Sequence, residues 1–224
     1  MIENSIIHSL KSSKLFQGLS DSDIREICGL VAVADREFSK NQVIVNQGEP
    51  VSRIGILKRG TVISSKYHFN GNVQILRIYN RGEAFSLDAA NTNLLTSPVT
   101  LTSQTDCAVV FVPYAKLVDS DVIRPEIKKT IMSNCSEILS NELIRLMYKI
   151  DVLSNRTLRE RILTYLSLIS ERVGSDSFDI GMNQEQFAQY LCVNRSVLSN
   201  ELNQMRKAEL IDYKGKRYKI LKTF

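Results

Sequence analysis

The sequence predicts an α+β chain: an N-terminal antiparallel β-roll of jelly-roll type, a long helix suited to pairing with a second copy, and a C-terminal winged helix-turn-helix. Three observations predict it. Short β-branched runs between residues 35 and 115 are separated by turn residues, with Gly48, Gly60, Gly71 and Gly82 spaced 12, 11 and 11 apart. No Gly or Pro interrupts the chain from Glu126 to Asp151, where apolar residues recur at nearly heptad spacing. Two short helical patterns then flank a tight turn and lead into a basic hairpin.

The first 30 residues read as short helices. Ser20, Asp21, Ser22 and Asp23 offer an N-cap and a negative first turn ahead of Ile24, Ile27 and Cys28. Strands follow at Val43–Val45, Ile54–Leu57, Val62-Ile63, Val73–Ile78, Val99–Leu101 and Val109–Val112. Asn70-Gly71 is a hairpin signal, because both residues accept a positive φ. Regular short strands with glycine turns argue for an antiparallel barrel or sandwich.

From Pro125 to Asp151 a helix would run about 39 Å. Met132, Cys135, Leu139, Leu143, Leu146, Ile150 and Leu153 form one apolar series, and Ile127, Ile131 and Ile138 add a second side. The roll can cover one side and a second copy the other; an ordinary core helix is the alternative. The expected segments are 1–120 for the roll, 121–153 for the long helix and hinge, and 154–224 for the C-terminal domain.

In the last segment Leu158, Ile162, Leu163, Leu166 and Ile169 mark a helix that Gly174–Ser177 breaks. Asn183 and Gln186 form a capping-box pattern, with Phe187, Ala188 and Leu191 on one side. Cys192–Asn194 is the tight turn, and Asn194 can cap the next helix. There Leu198, Leu202 and Met205 point inward, and Arg195, Ser199, Asn203 and Arg206 form an outward polar stripe flanked by Ser196 and Asn200. Arginine can bridge guanine O6 and N7, asparagine can bridge adenine N6 and N7, and serine suits several bases or a phosphate. A solvated helix face is the plainer alternative. The hairpin after it turns through Lys214, Gly215, Lys216 and Arg217; its cations suit phosphates, or simply water.

Composition sets the limits. The chain has 224 residues, 43% hydrophobic and 24% charged, which excludes disordered, collagen-like and disulfide-scaffold classes. The longest apolar run, Cys107–Val112, is six residues, far short of the roughly 20 a membrane helix needs. No secretory signal is evident at the N-terminus, so a cytoplasmic location is expected. Net charge is +5, of which residues 151–224 carry +3 in a third of the length, a tilt toward a polyanion. Cys28, Cys107, Cys135 and Cys192 are too scattered for a zinc, iron–sulfur or disulfide framework. They suit small buried hydrophobes, with a redox-sensing thiol as the alternative. No Ser-His-Asp set, metal cluster or phosphate loop points to an enzyme, and His8 and His68 are expected at the surface.

In combination and order these features resemble the CRP/FNR transcription regulators. Gln47-Gly48-Glu49 with Gly60, and Gly82-Glu83, are similar to the family's roll turns. Thr157–Ile162 resembles the helix that opens its DNA domain, and Gln186–Leu191 with Asn194–Leu202 resemble its two reading helices. The resemblance implies a cyclic-nucleotide-binding-domain fold, a homodimer, and double-stranded DNA as partner at a near-palindromic site, with RNA polymerase added if the protein is an activator. It assigns base reading to Arg195 and Ser196, and phosphate contacts to Gln184 and Asn194. Asn200 stands where many members have arginine, and Cys192 where glycine is usual in the turn. Ser199, Asn203, Lys214, Lys216 and Arg217 complete the expected DNA face.

The resemblance also bears on cofactors. Members that bind cyclic nucleotide hold its phosphate with an arginine and a Ser/Thr. Here Ser97-Pro98 falls at the arginine position, and no Lys or Arg occurs between Arg81 and Lys116. Burying a phosphate without a cation is costly, so cAMP is not expected. Lone Cys28 argues against an iron–sulfur cluster, and surface histidines against haem. An unidentified small effector remains, lined by Phe85, Leu87, Val99 and Met132. The rival reading is a small-molecule-binding module whose C-terminal domain contacts protein.

Overall fold

The computed structural model describes residues 2–92, 96–118 and 121–222. The chain forms two compact units, Met1–Glu142 and Leu143–Phe224. The long helix is shared between them.

The first unit opens with α1 (Ile2–Lys11), a 3-10 turn (Lys14–Phe16) and α2 (Asp21–Leu30). Ser20 caps α2 and exchanges hydrogen bonds with Asp23, which places negative charge at the positive end of the helix. Eight strands follow: β1 (Ala34–Phe38), β2 (Val43–Val45), β3 (Arg53–Arg59), β4 (Val62–Tyr67), β5 (Val73–Tyr79), β6 (Ala84–Phe85), β7 (Thr100–Ser103) and β8 (Cys107–Pro113). The short helix α3 (Leu87–Ala90) lies between β6 and β7, and α4 (Tyr114–Val118) follows β8.

The strands build two antiparallel four-stranded sheets, ordered β1-β8-β3-β6 and β2-β7-β4-β5. β8 sits between β1 and β3, and its alternate side chains enter different clusters: Cys107 and Val109 pack on one face, Val110 and Val112 on the other. Burial of both faces explains its unbroken apolar sequence. β1 has β8 as its one neighbour and reads Ala-Asp-Arg-Glu-Phe, an edge sequence without the apolar run expected of a strand. The Asn70-Gly71 signal does mark the β4–β5 connection. The loop spans residues 68–72, and Gly71, not Asn70, takes the positive φ of 80°.

Two apolar clusters fill this unit. One holds Leu57, Val62, Phe85, Leu101, Cys107 and Val109, with Val99 and Tyr79 packed against it. The other joins α1 and α2 to Ile54, Ile56, Leu87, Val110 and Val112, and to Ile127, Ile131 and Cys135 of α5 (Pro125–Ser154). The side bearing Ile127 and Ile131 is therefore the one that covers the roll. Cys135 was expected on the opposite seam but lies with them, its Sγ 3.4 Å from the Tyr114 hydroxyl. Met132, Leu143, Leu146 and Ile150 are exposed in the single chain.

The second unit contains α6 (Leu158–Val173), β9 (Ser177–Asp179), α7 (Gln184–Tyr190), α8 (Arg195–Lys207), β10 (Ile211–Lys214) and β11 (Arg217–Ile220). Thr157 and Glu160 form a capping box that starts α6, and Gly174 ends it in the left-handed region. The hairpin is not alone: β9 adds a third strand in the order β10-β11-β9, pairing Phe178 with Tyr218. The sequence reading places only a helix break there, because β9 has three residues and one apolar side chain.

Candidate nucleic-acid interface

Helix α7 starts where Asn183 and Gln186 exchange backbone-to-side-chain hydrogen bonds of 2.9 Å each. Phe187, Ala188 and Leu191 are buried. The chain then turns through Cys192, which is exposed and holds a φ of 59°. This is the glycine conformation kept without glycine, at a cost of roughly 1–2 kcal/mol. Of the four cysteines, Cys107 and Cys135 are buried and Cys28 is half-buried, so Cys192 departs from the expected small buried role.

Asn194 occupies the N-cap position of α8, but its side chain makes no capping bond. The expected cap is thus backbone geometry only, and the amide is open to solvent. Leu198, Leu202 and Met205 are completely buried. At about 1.5–3 kcal/mol for each such side chain, this stripe anchors the helix. It also fixes which face is outward. Arg195, Ser196, Val197 and Asn200 are exposed in the first turns; Ser199 and Asn203 are half-buried. The open face is therefore rotated from the expected stripe toward Ser196 and Asn200.

Asn203 is engaged by its neighbours. Its Oδ1 accepts from the Tyr213 hydroxyl and from the Arg206 guanidinium, each at 3.2 Å. On another side of α8, the Arg159 Nε donates to Glu201 at 2.6 Å and ties α6 to the helix. These partners lie 10 and 42 residues apart in sequence, so no local spacing announces them. Val197, also exposed, is absent from the expected set because it carries no polar atom.

Gln184 is the first residue of α7 and is half-buried. Lys214, Lys216 and Arg217 are exposed at the β10–β11 turn, where Gly215 has a φ of 63°. Lys216 Nζ reaches the Gly181 carbonyl at 3.2 Å. All ten expected DNA-face residues thus fall on α7, α8, the turn between them and the hairpin.

An aromatic series supports this surface from beneath. Tyr165 touches Phe187 and Tyr190 with ring centres 5.1 and 5.0 Å apart, Phe187 meets Tyr218 edge-on, and Tyr218 stacks on Tyr213. Lys149 of α5 is 4% exposed and lies 4.1 Å from the centre of the Tyr190 ring. Burial pushes its ammonium down to about 8, with the Cys192 thiol acting weakly the other way.

The four residues expected to line an effector pocket are not brought together. Phe85 and Val99 belong to one apolar cluster and Leu87 to the other, while Met132 is 55% exposed. Phe85 fills space as a core ring, in edge contact with Tyr79 and Phe111. The polar feature in the roll is instead Arg77. It donates to Glu83 at 2.6 Å, pairs with Glu142 of α5, and lies 4.2 Å from the Tyr79 ring centre. Burial opposes its charge, but Tyr79, Glu142 and Glu83 outweigh that and raise its pKa. Ser97 is buried and spends its hydroxyl on the Val99 carbonyl at 2.6 Å.

An antiparallel roll followed by a winged helix-turn-helix with an open polar recognition helix defines a class, the DNA-binding transcription regulators. Two domain models match: a cyclic nucleotide-binding domain over residues 35–119 and a Crp-like helix-turn-helix domain over residues 160–223. The transcriptional activator protein FnrA of Stutzerimonas stutzeri is 23% identical over 191 residues, which span 83% of this chain and 76% of that protein. The probable transcriptional regulator flp of Lacticaseibacillus casei is 25% identical over 211 residues, 92% and 91% of the two chains. The fold is similar to that of the c-di-GMP responsive global regulator CLP of Xanthomonas campestris, with a TM-score of 0.73 and 15% identity over 91% of this chain and 100% of that one. The chain belongs to the CRP/FNR family and is a transcription regulator of that type.

Proposed function

We propose that the protein binds double-stranded DNA as a homodimer and reads a near-palindromic operator through α8. The observation that carries this reading is the exposed run Arg195, Ser196 and Asn200 at the start of a helix whose other face is wholly buried. In this geometry the N-terminal turns of α8 enter the major groove. Arg195 and Ser196 then meet base edges, Asn200 reads one further position, and Gln184, Asn194 and the cations of the hairpin meet phosphates. Exposed Leu143, Leu146, Met147 and Ile150 on α5 supply an apolar seam for the second copy. Two copies set their recognition helices about 34 Å apart, one helical turn of DNA. An activator would in addition touch RNA polymerase. The reading assigns no catalytic role to any residue. No helix among the described residues is long and apolar enough to cross a membrane, and a cytoplasmic site of action fits a DNA-binding regulator.

The same proposal leaves the roll without cAMP. No Lys or Arg lies between Arg81 and Lys116, Ser97 is engaged with its own chain, and Arg77 is neutralised by two carboxylates. Haem and iron–sulfur clusters are excluded from the reading on the cysteine and histidine spacing. Any small effector acts by shifting the orientation of the DNA domains.

The test is binding of the full chain to DNA upstream of its own gene, at fixed near-physiological salt with competitor DNA. Arg195→Ala should lose at least tenfold in affinity for the specific site and keep its non-specific affinity. Equal binding by the variant would return the C-terminal domain to a protein-contacting role.

A further inference from the structure

We propose that Tyr213 and Arg206 clamp the Asn203 amide so that it meets DNA as a hydrogen-bond donor only. The inference rests on the DNA-binding reading above and sharpens it at one residue. A carbonyl oxygen offers two acceptor sites. Both sites of Asn203 Oδ1 are occupied, one by the Tyr213 hydroxyl and one by the Arg206 guanidinium, each at 3.2 Å. Turning the amide over would point Nδ2 at the Arg206 guanidinium, which can only donate, so Arg206 fixes the orientation in which Tyr213 also donates to Oδ1. Among the described residues Nδ2 has no hydrogen-bond partner, and the half-buried side chain leaves it the amide's one free polar group.

The clamp is itself held. The Tyr213 ring stacks on Tyr218 with centres 5.6 Å apart and planes 16° apart. The Arg206 guanidinium lies 5.3 Å from the Tyr213 ring centre. Tyr218 is buried and meets Phe187 edge-on at 5.8 Å. The hydroxyl therefore cannot move away without disturbing the core beneath the hairpin. Tyr213 is a positioning residue: it acts on DNA through Asn203.

The consequence is chemical. Asparagine reads adenine with both ends of its amide, accepting from N6 and donating to N7. The clamp removes the accepting end. What remains is a donor for an acceptor atom: N7 of either purine, guanine O6, thymine O4, or a phosphate oxygen. Asn203 thus gives adenine no advantage over guanine, where the residue type alone suggests one.

The test uses the full chain as wild type, Tyr213→Phe and Asn203→Asp, each selecting duplexes from a random library at fixed salt, with thermal unfolding run alongside. If Asn203 faces a base, Tyr213→Phe gains adenine at one position per half-site, by roughly tenfold relative to wild type. If it faces a phosphate, Tyr213→Phe weakens every sequence alike by several-fold and keeps the preferences. In both cases Asn203→Asp, which keeps an oxygen for the clamp but no donor, loses at least tenfold. Should Tyr213→Phe fold poorly, Arg206→Met, which vacates the other acceptor site of Oδ1, takes its place and is read for the same gain of adenine or, at a phosphate, for unchanged preferences. Wild-type affinity and preferences in Tyr213→Phe, or wild-type affinity in Asn203→Asp, overturn the clamp while leaving the DNA reading intact. A wild-type protein that enriches no sequence overturns both.

Discussion

The ring of Phe85 lies against the backbone of Gly55, its partner across the β3–β6 pair, so closely that a Cβ on Gly55 would sit 2.1 Å from the ring. Glycine at 55 is what lets a phenyl ring fill the roll interior beside Leu57 and Val109. Gly55→Ala should destabilise the protein by about 3 kcal/mol, the upper range for overpacking. Phe85→Ala should cost about 3–5 kcal/mol through the cavity it leaves. Because the alanine methyl fits where the ring was, the double variant should be less destabilised than the sum of the two. Urea unfolding of all four proteins measures this coupling.

Lys149 gives a dependence on pH. Its ammonium falls from the usual 10.5 to about 8 because burial disfavours the charge. A lysine depressed in the folded state binds fewer protons there than in the unfolded chain between those two values. Its contribution to stability therefore grows as pH rises from about 8 toward 10.5, and is lost as pH falls back through 8. Lys149→Met keeps the volume and removes the charge. The variant should gain stability over wild type as the pH falls to 7, by about 2 kcal/mol relative to pH 10, because only the wild type then buries a charge. This gain should fade as the pH approaches 10, which thermal unfolding across the range would record.

Cys192 predicts a stabilising change that does not depend on pH. Its φ of 59° is strained for a side chain bearing Cβ, and the thiol is exposed. Cys192→Gly should stabilise by about 0.5–1 kcal/mol, the relief of strain less the extra freedom of an unfolded glycine. The melting temperature reports it, and DNA affinity should stay the same because the turn already has the glycine geometry.

Much of this was legible in the sequence, for reasons that differ by residue. Leu198, Leu202 and Met205 repeat at helical spacing, so their burial could be read directly, and Asn183 with Gln186 announces the start of α7. Val109–Val112 is apolar without alternation because both faces of β8 are covered, Val109 in one cluster and Val110 and Val112 in the other. β1 was hidden because an edge strand carries charge, and β9 because three residues have no period. The effector lining failed for a different reason. Phe85 and Leu87 are two apart, yet the short helix α3 begins after Ser86 in a left-handed conformation, and the two side chains enter different clusters. The Asn203–Tyr213 and Arg159–Glu201 pairs are tertiary contacts, which sequence spacing does not encode.

Two copies of α8 are expected to read two half-sites on one face of DNA. The most direct measurement is affinity for the selected operator against the same operator with five base pairs inserted at its centre. Five base pairs turn one half-site to the opposite face of the duplex while keeping both sequences whole. A dimer held by α5 should lose at least about a hundredfold in affinity, close to its level for a single half-site. Undiminished affinity for the lengthened operator would rule out a dimer of fixed half-site spacing.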